Sequence, residues 1–201
     1  MHSTSTIPDK LNGLAVNFVE ALNYLEEILK GRFKVFRKEA TSFEVAPPRY
    51  YKDGSPFAIF IERFSIQTNE YLTLLLALAP HLQPDFFTKI LAEYMPEGGE
   101  FPAFGGVKGQ NHRGILPTGE TAQFILGGND LAKRLEVQRL FSAEHWFAQK
   151  GILRLEEVRA GEPVMSGRLI LDAEWVEEVT TGQVSPPRFS TRFPAERLHT
   201  E

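Results

Sequence analysis

Residues Phe101–Gly128 read FPAFGGVKGQNHRGILPTGETAQFILGG and hold seven of the chain's sixteen glycines. The first part has no regular apolar period and the last part is an apolar run. The stretch therefore reads as a surface loop, Phe101 to Pro117, feeding a short helix from Gly119 to about Leu126. Thr118 is the expected N-cap, and Glu120 falls in the first turn, where the helix dipole favours an acid. A long glycine-rich loop inside a compact domain is uncommon and usually functional or mobile.

A phosphate cradle is the first chemistry such a loop suggests. GGVKG (Gly105–Gly109) supplies backbone amides and Lys108, but it lacks the GxxxxGK[ST] spacing and does not run from a buried strand straight into a helix. Hydrolytic chemistry would have to combine His112 or His81 with Glu120, Ser142 or Thr118. The sequence has no GxSxG elbow and no HExxH, and no two histidines are three or four residues apart. Lys108, His112 and Arg113 give the loop a positive character suited to meeting a partner. The alternative is that Arg113 pairs with Glu120 and holds the loop down. Phe101 and Phe104, flanking Pro102, either plug the core or form an exposed contact.

Outward from the loop, residues Asp9 to Lys30 carry an amphipathic helix, capped by Asp9 and stopped by Gly31. Strands are expected to start at Phe33–Val35 and Phe43–Val45, and FAIFIERF (Phe57–Phe64) reads as a strand because it is aromatic and β-branched. Thr68 caps a leucine-rich helix ended by Pro80, and Pro84 opens a second helix at its first position. That pair resembles a helix-turn-helix, but its second helix offers only Lys89 as a base, which favours packing over base reading. Past the loop, Asn129 or Asp130 caps Leu131–Phe141, and Ser142 caps Ala143–Lys150. Ile152–Val158 and Val164–Leu171 form a hairpin, and Asp172 caps a last helix ending at Gly182. The expected class is α+β: a mainly helical, winged-helix-like domain with a β-hairpin wing, preceded by an N-terminal amphipathic helix. The divisions are 1–56, 57–182 and a Pro-rich linker, 183–201, whose Phe189 and Phe193 are docking candidates.

At 201 residues the chain is long enough for a sizeable core, and its net charge of −4 argues against broad nucleic-acid binding. With no cysteine there is no disulfide framework or thiol nucleophile. The start lacks the parts of a signal peptide, and no apolar run approaches the ~20 residues of a membrane span. A cytoplasmic protein is the default expectation.

FGGVKGQNHRGILPTGETAQFILGGNDLAKRLEVQRLFSAEHWF, followed by GILRLEE and GEPVMSGRLIL, resembles the region before the ATPase module in a group of bacterial AAA+ ATPases. The resembling positions are Phe104–Gly109, His112, Gly114, Leu116–Thr121, Arg134–Phe141, Gly151–Leu155, Gly161–Pro163, Ser166–Gly167, Thr180–Gly182 and Phe193–Arg197. The resemblance covers roughly Glu62 to Glu201. Val107 stands where that group has tryptophan, and Arg113 where it has glycine. It implies a winged-helix domain of an ATPase of the kind encoded with contractile injection systems. ATP, Mg2+ and all catalytic residues would belong to a module beyond Glu201, and this chain would bind no cofactor. Its partners would be a protein substrate or assembly component and the ATPase module itself, with oligomerisation only at full length. Partner contact would fall to Phe101, Phe104, Lys108, His112, Arg113 and Glu120. The alternative is a winged-helix nucleic-acid binder using Lys89, Arg154, Arg159 and Arg168. An enzyme centred on His112 and Glu120 is the third reading.

Overall fold

The computed structural model describes residues 7–183, with side chains from residue 15 onward. The first helix, α1 (Ile7–Phe36), is long because its apolar positions do not stop at Gly31. Leu25, Leu29 and Phe33 continue the four-residue step and are fully buried. Gly31 is not a stop: a Cβ there would lie 2.8 Å from the Phe43 ring, so it marks close approach. The strand expected at Phe33–Val35 is accordingly absent, and residues 43–45 form none either.

The largest correction is FAIFIERF. It is a helix, α2 (Pro56–Phe64), capped by Ser55, whose Oγ accepts from the Ala58 amide, with Pro56 at its first position. Phe57, Ala58, Phe60 and Ile61 are buried while Ile59 and Glu62 face water. That is a helical face, and it prevails over the β-propensity of the individual residues. The helix ends at Ser65, in the left-handed region at φ 48°.

Next, α3 (Thr68–Leu82) is buried all round from Tyr71 to Ala79, which makes it the central helix. Its cap is Gln67, not Thr68, and it runs through Pro80 to Leu82, because losing one N–H near the end does not stop the last turn. α4 (Phe86–Tyr94) begins after Asp85 and not at Pro84. A short hairpin, β1 (Val107–Lys108) with β2 (Ile115–Leu116), lies inside the glycine-rich stretch. Then come α5 (Gly119–Gly127) and α6 (Leu131–Arg139), capped by Thr118 and Asp130 as their sequences indicate. α7 (Trp146–Gln149) is one turn, capped by His145 and not by Ser142.

β3 (Leu153–Leu155) pairs antiparallel with β4 (Leu169–Leu171) in the register Leu153↔Leu171. The return strand starts late because Val164–Ser166 makes a 3-10 turn after Pro163. α8 (Ala173–Thr181) is capped by Asp172 and ends at Gly182. The described residues thus form an α+β arrangement of helices and two small antiparallel sheets, over a single hydrophobic cluster reaching from Phe18 to Val179. No helix among them is long and apolar enough to cross a membrane.

Between α1 and α2, residues 40–54 form an arm without helix or strand. Core side chains satisfy its backbone. The buried Asn17 amide donates to Tyr51 O (3.1 Å) and accepts from Tyr51 N (2.7 Å), and it also donates to Ser55 Oγ (3.1 Å). The Tyr24 hydroxyl donates to Ala46 O (2.6 Å) and the Tyr71 hydroxyl to Arg49 O (3.1 Å).

Candidate functional site

The glycine-rich stretch is built around Thr118. Its Oγ1 accepts from the Thr121 amide as the cap of α5 and from the Gly106 amide (3.2 Å), tying the start of the loop to the start of the helix. The Thr118 amide in turn donates to Thr121 Oγ1 (3.0 Å), completing a capping box. Gly105, at φ +69°, passes so close that a Cβ would sit 2.7 Å from Thr118 Oγ1 and 2.8 Å from Glu120 Cβ. Gly119 lies against Met165, and its amide donates to Gly167 O (3.1 Å). The Leu169 amide donates to Pro117 O (2.9 Å), and Thr118 bridges Arg168 antiparallel. The segment before α5 is therefore stitched to the edge of β4.

At the other end, the hairpin tip rests on the turn between α3 and α4. The Ile115 amide donates to Thr88 Oγ1 (3.2 Å), and a Cβ on Gly114 would come within 2.1 Å of Pro84 O. Gly105, Gly114 and Gly119 permit close backbone approach, and the amides of Gly105, Gly106 and Gly119 are taken up by acceptors within the chain.

The candidate residues divide on this frame. Phe104 is 1% exposed and packs with Phe33, Phe87, Phe101 and Phe124, taking the core alternative; Phe101 is half-buried in the same cluster. Lys108 and Arg113 are exposed, and neither has an ion-pair partner within 4 Å among the described residues, so the Arg113–Glu120 pair is not formed. His112 is half-buried, with Nε2 shielded and unbonded, so it does not bond to Glu120. His81 lies near enough that the His112 charge adds to desolvation in lowering its pKa. An open cavity of about 580 Å3 lies between the arm and α2, lined by residues including Tyr50, Lys52, Ile61 and Glu62, away from both His112 and Glu120. Phe189 and Phe193 lie outside the described residues.

The remaining histidine among the described residues has a structural task. His145 Nδ1 accepts from the Phe147 amide (3.2 Å), which leaves the proton on Nε2, facing Glu70 Oε1 at 3.2 Å. The same carboxylate accepts from Trp146 Nε1 (2.7 Å) and, through Oε2, from the Gln67 amide. Arg32, next to Gly31 near the end of α1, is also committed. Its Nε donates to Ile125 O (2.8 Å) at the negative end of α5, and burial lowers its pKa. Arg134 donates to Gly128 O at the same end (3.2 Å).

Sequence reasoning missed Thr118 as a hub and Asn17 as the arm's anchor. The signal for Asn17 was available: an amide one turn before Ala21 and two before Tyr24, on the buried stripe of α1. No group of three metal-ligating side chains occurs among the described residues. No family model, curated protein or solved structure matches the chain.

Proposed function

We infer that the chain is a non-catalytic, winged-helix-type accessory domain of an AAA+ ATPase, recruiting a protein substrate or assembly partner and supporting ring organisation. The observation that carries the winged-helix part is the pairing of residues 117–118 with the β4 edge. The order is then α4, the hairpin β1–β2 leading into residues 117–118, α5, a tight turn, α6, the single turn α7, and a hairpin whose return strand has residues 117–118 as its neighbour. The ATPase part rests on the sequence resemblance across the same elements.

Protein contact is favoured over nucleic acid by what α6 presents. Leu131 and Leu135, one turn apart, are 70% and 54% exposed. A base-reading helix would carry polar side chains there. Of the three cations on the second hairpin, Arg168 is held by both oxygens of Glu156.

The test is the reading frame beyond Glu201. This reading expects a Walker A loop there, ATP turnover by the extended chain and none by residues 1–201. An extension without a phosphate-binding loop overturns it. Duplex binding at low salt that weakens steeply with added salt would favour the nucleic-acid reading instead.

A further inference from the structure

The arm segment Ala46–Tyr51 reads APPRYY, and the C-terminal segment Ser185–Ser190 reads SPPRFS. The two share Pro-Pro-Arg followed by an aromatic residue. In the arm, the structure shows what receives each part. One face of α1 carries Asn17, Glu20, Tyr24 and Glu27, and the arm runs antiparallel along it, Ala46 at Tyr24 and Tyr51 at Asn17. The Arg49 guanidinium meets Glu27 at 2.5 Å and Glu20 at 3.4 Å and lies over the Tyr24 ring, 5.4 Å from its centre. Tyr50 packs against the hydrophobic cluster, and no hydrogen bond made by its hydroxyl is seen among the described residues, so phenylalanine fits the same place.

The other two positions that differ are those whose backbone alone is held. Ala46 is recognised through its carbonyl, and Tyr51 through its amide and carbonyl, with its side chain exposed. Serine at either position supplies the same groups. Bidentate capture of one residue's N–H and C=O by an asparagine amide, with tyrosine hydroxyls on neighbouring carbonyls, is recognition of an extended backbone in which a few side chains set specificity.

We propose that this face of α1 and α3 is a receptor for a Pro-Pro-Arg-aromatic segment, filled in the isolated chain by residues 46–51 and exchangeable for Ser185–Ser190 of a second copy. Chain length selects the second copy. The last described turn sits beside Pro56, at the Asn17 end of the face. Ser185 would have to reach the Tyr24 level, seven residues or about 10 Å further along α1. Gly182, the residue beside Pro56, is three links from Ser185, at most about 11 Å, so the tail of the same chain would have to run fully extended along α1 and then reverse, whereas a second copy's tail enters without that constraint. This inference goes beyond the ATPase reading and is tested without it.

The probe is a fluorescent peptide of residues 183–192 (QVSPPRFSTR), titrated into the full 201-residue chain. Arg49→Ala, which frees the acidic pair, combined with Arg188→Ala, which disables the chain's own tail, should bind it roughly tenfold tighter than the wild type. An Arg188→Ala peptide, or Glu27→Gln in the chain, should weaken binding by a similar factor. Because the peptide variants leave the protein untouched, the same ranking is readable on the wild type at millimolar peptide. Hydrogen exchange gives the location: saturating peptide should speed exchange of the Tyr51 amide. No binding to a folded Arg49→Ala chain, or binding that leaves Tyr51 protected, overturns the proposal. In the wild type, Tyr51 exchange should quicken with protein concentration and lose that dependence in Arg188→Ala. Tail-dependent exchange that ignores concentration assigns the tail to its own chain and overturns the second-copy assignment.

Discussion

Replacing Gly114 by alanine tests whether the hairpin tip is docked as described. An added Cβ would stand 2.1 Å from Pro84 O and 2.8 Å from His112 Nε2. An ordinary carbon–oxygen contact is roughly 3.2 Å, so the tip must retreat by about 1 Å. The neighbouring bond from the Ile115 amide to Thr88 Oγ1 is already 3.2 Å long, and the retreat takes it past bonding distance. Losing that bond and the packing around it costs about 1–3 kcal/mol. For a chain of this size each kcal/mol lowers Tm by about 2–4 °C, so a fall of roughly 3–10 °C is expected. Thermal unfolding by circular dichroism reads the total, and exchange at the Ile115 amide reads the place. Asn111→Ala, at an exposed position of the same loop, should change neither. If Gly114→Ala melts with the wild type and keeps Ile115 protected, the close approach to Pro84 is refuted.

Phe104→Ala should cost about 3–5 kcal/mol in urea unfolding, as for a fully buried aromatic, whereas Lys108→Ala should stay within about 0.5 kcal/mol. Glu70→Ala strips acceptors from Trp146, His145 and the Gln67 amide at once; about 2–3 kcal/mol of stability should go, with a shift in tryptophan emission. Alkaline pH should weaken the fold through Tyr24 and Tyr71, whose hydroxyls hold the arm. Burial pushes Tyr24 up to about 12 and Tyr71 higher still. The unfolded chain ionises first, so this stabilisation is whole below pH ~10 and falls as pH rises toward the folded values. The urea midpoint should drop between pH 9 and 11, and Tyr24→Phe with Tyr71→Phe should flatten that drop.

What could be read in advance was carried by short-range polar chemistry. Thr118, Asp130 and Asp172 announce their helices because a capping side chain bonds within three residues of itself. The α+β class followed from those caps and the second hairpin. FAIFIERF misled because six apolar and aromatic residues in a run of eight satisfy either period, and the deciding fact, Ser55 capping ahead of Pro56, lies outside the run. The loop's interior was illegible for a different reason. Whether Phe104 or Phe101 faces inward depends on Phe33, Phe87 and Phe124, which arrive from three other elements. The arm was harder still, since Asn17, Tyr24 and Tyr71 hold it through backbone groups that every residue possesses.

That mode of holding decides how the arm and a tail compete. If both segments offer the groove the same groups, exchange is close to neutral, and occupancy follows concentration. The arm is tied to α1 at one end and α2 at the other, so its effective concentration is of the order of millimolar or above. A second copy at about 10 μM then fills roughly one groove in a hundred, and the isolated chain keeps its own arm. Neighbours held side by side raise the tail to the same millimolar scale, and the two occupants become equal. Release of residues 46–51 is therefore expected to follow assembly and not the intrinsic affinity of either segment. Arg49→Ala imitates assembly in a single chain by weakening the resident, which is why it separates a working receptor from a mere structural brace.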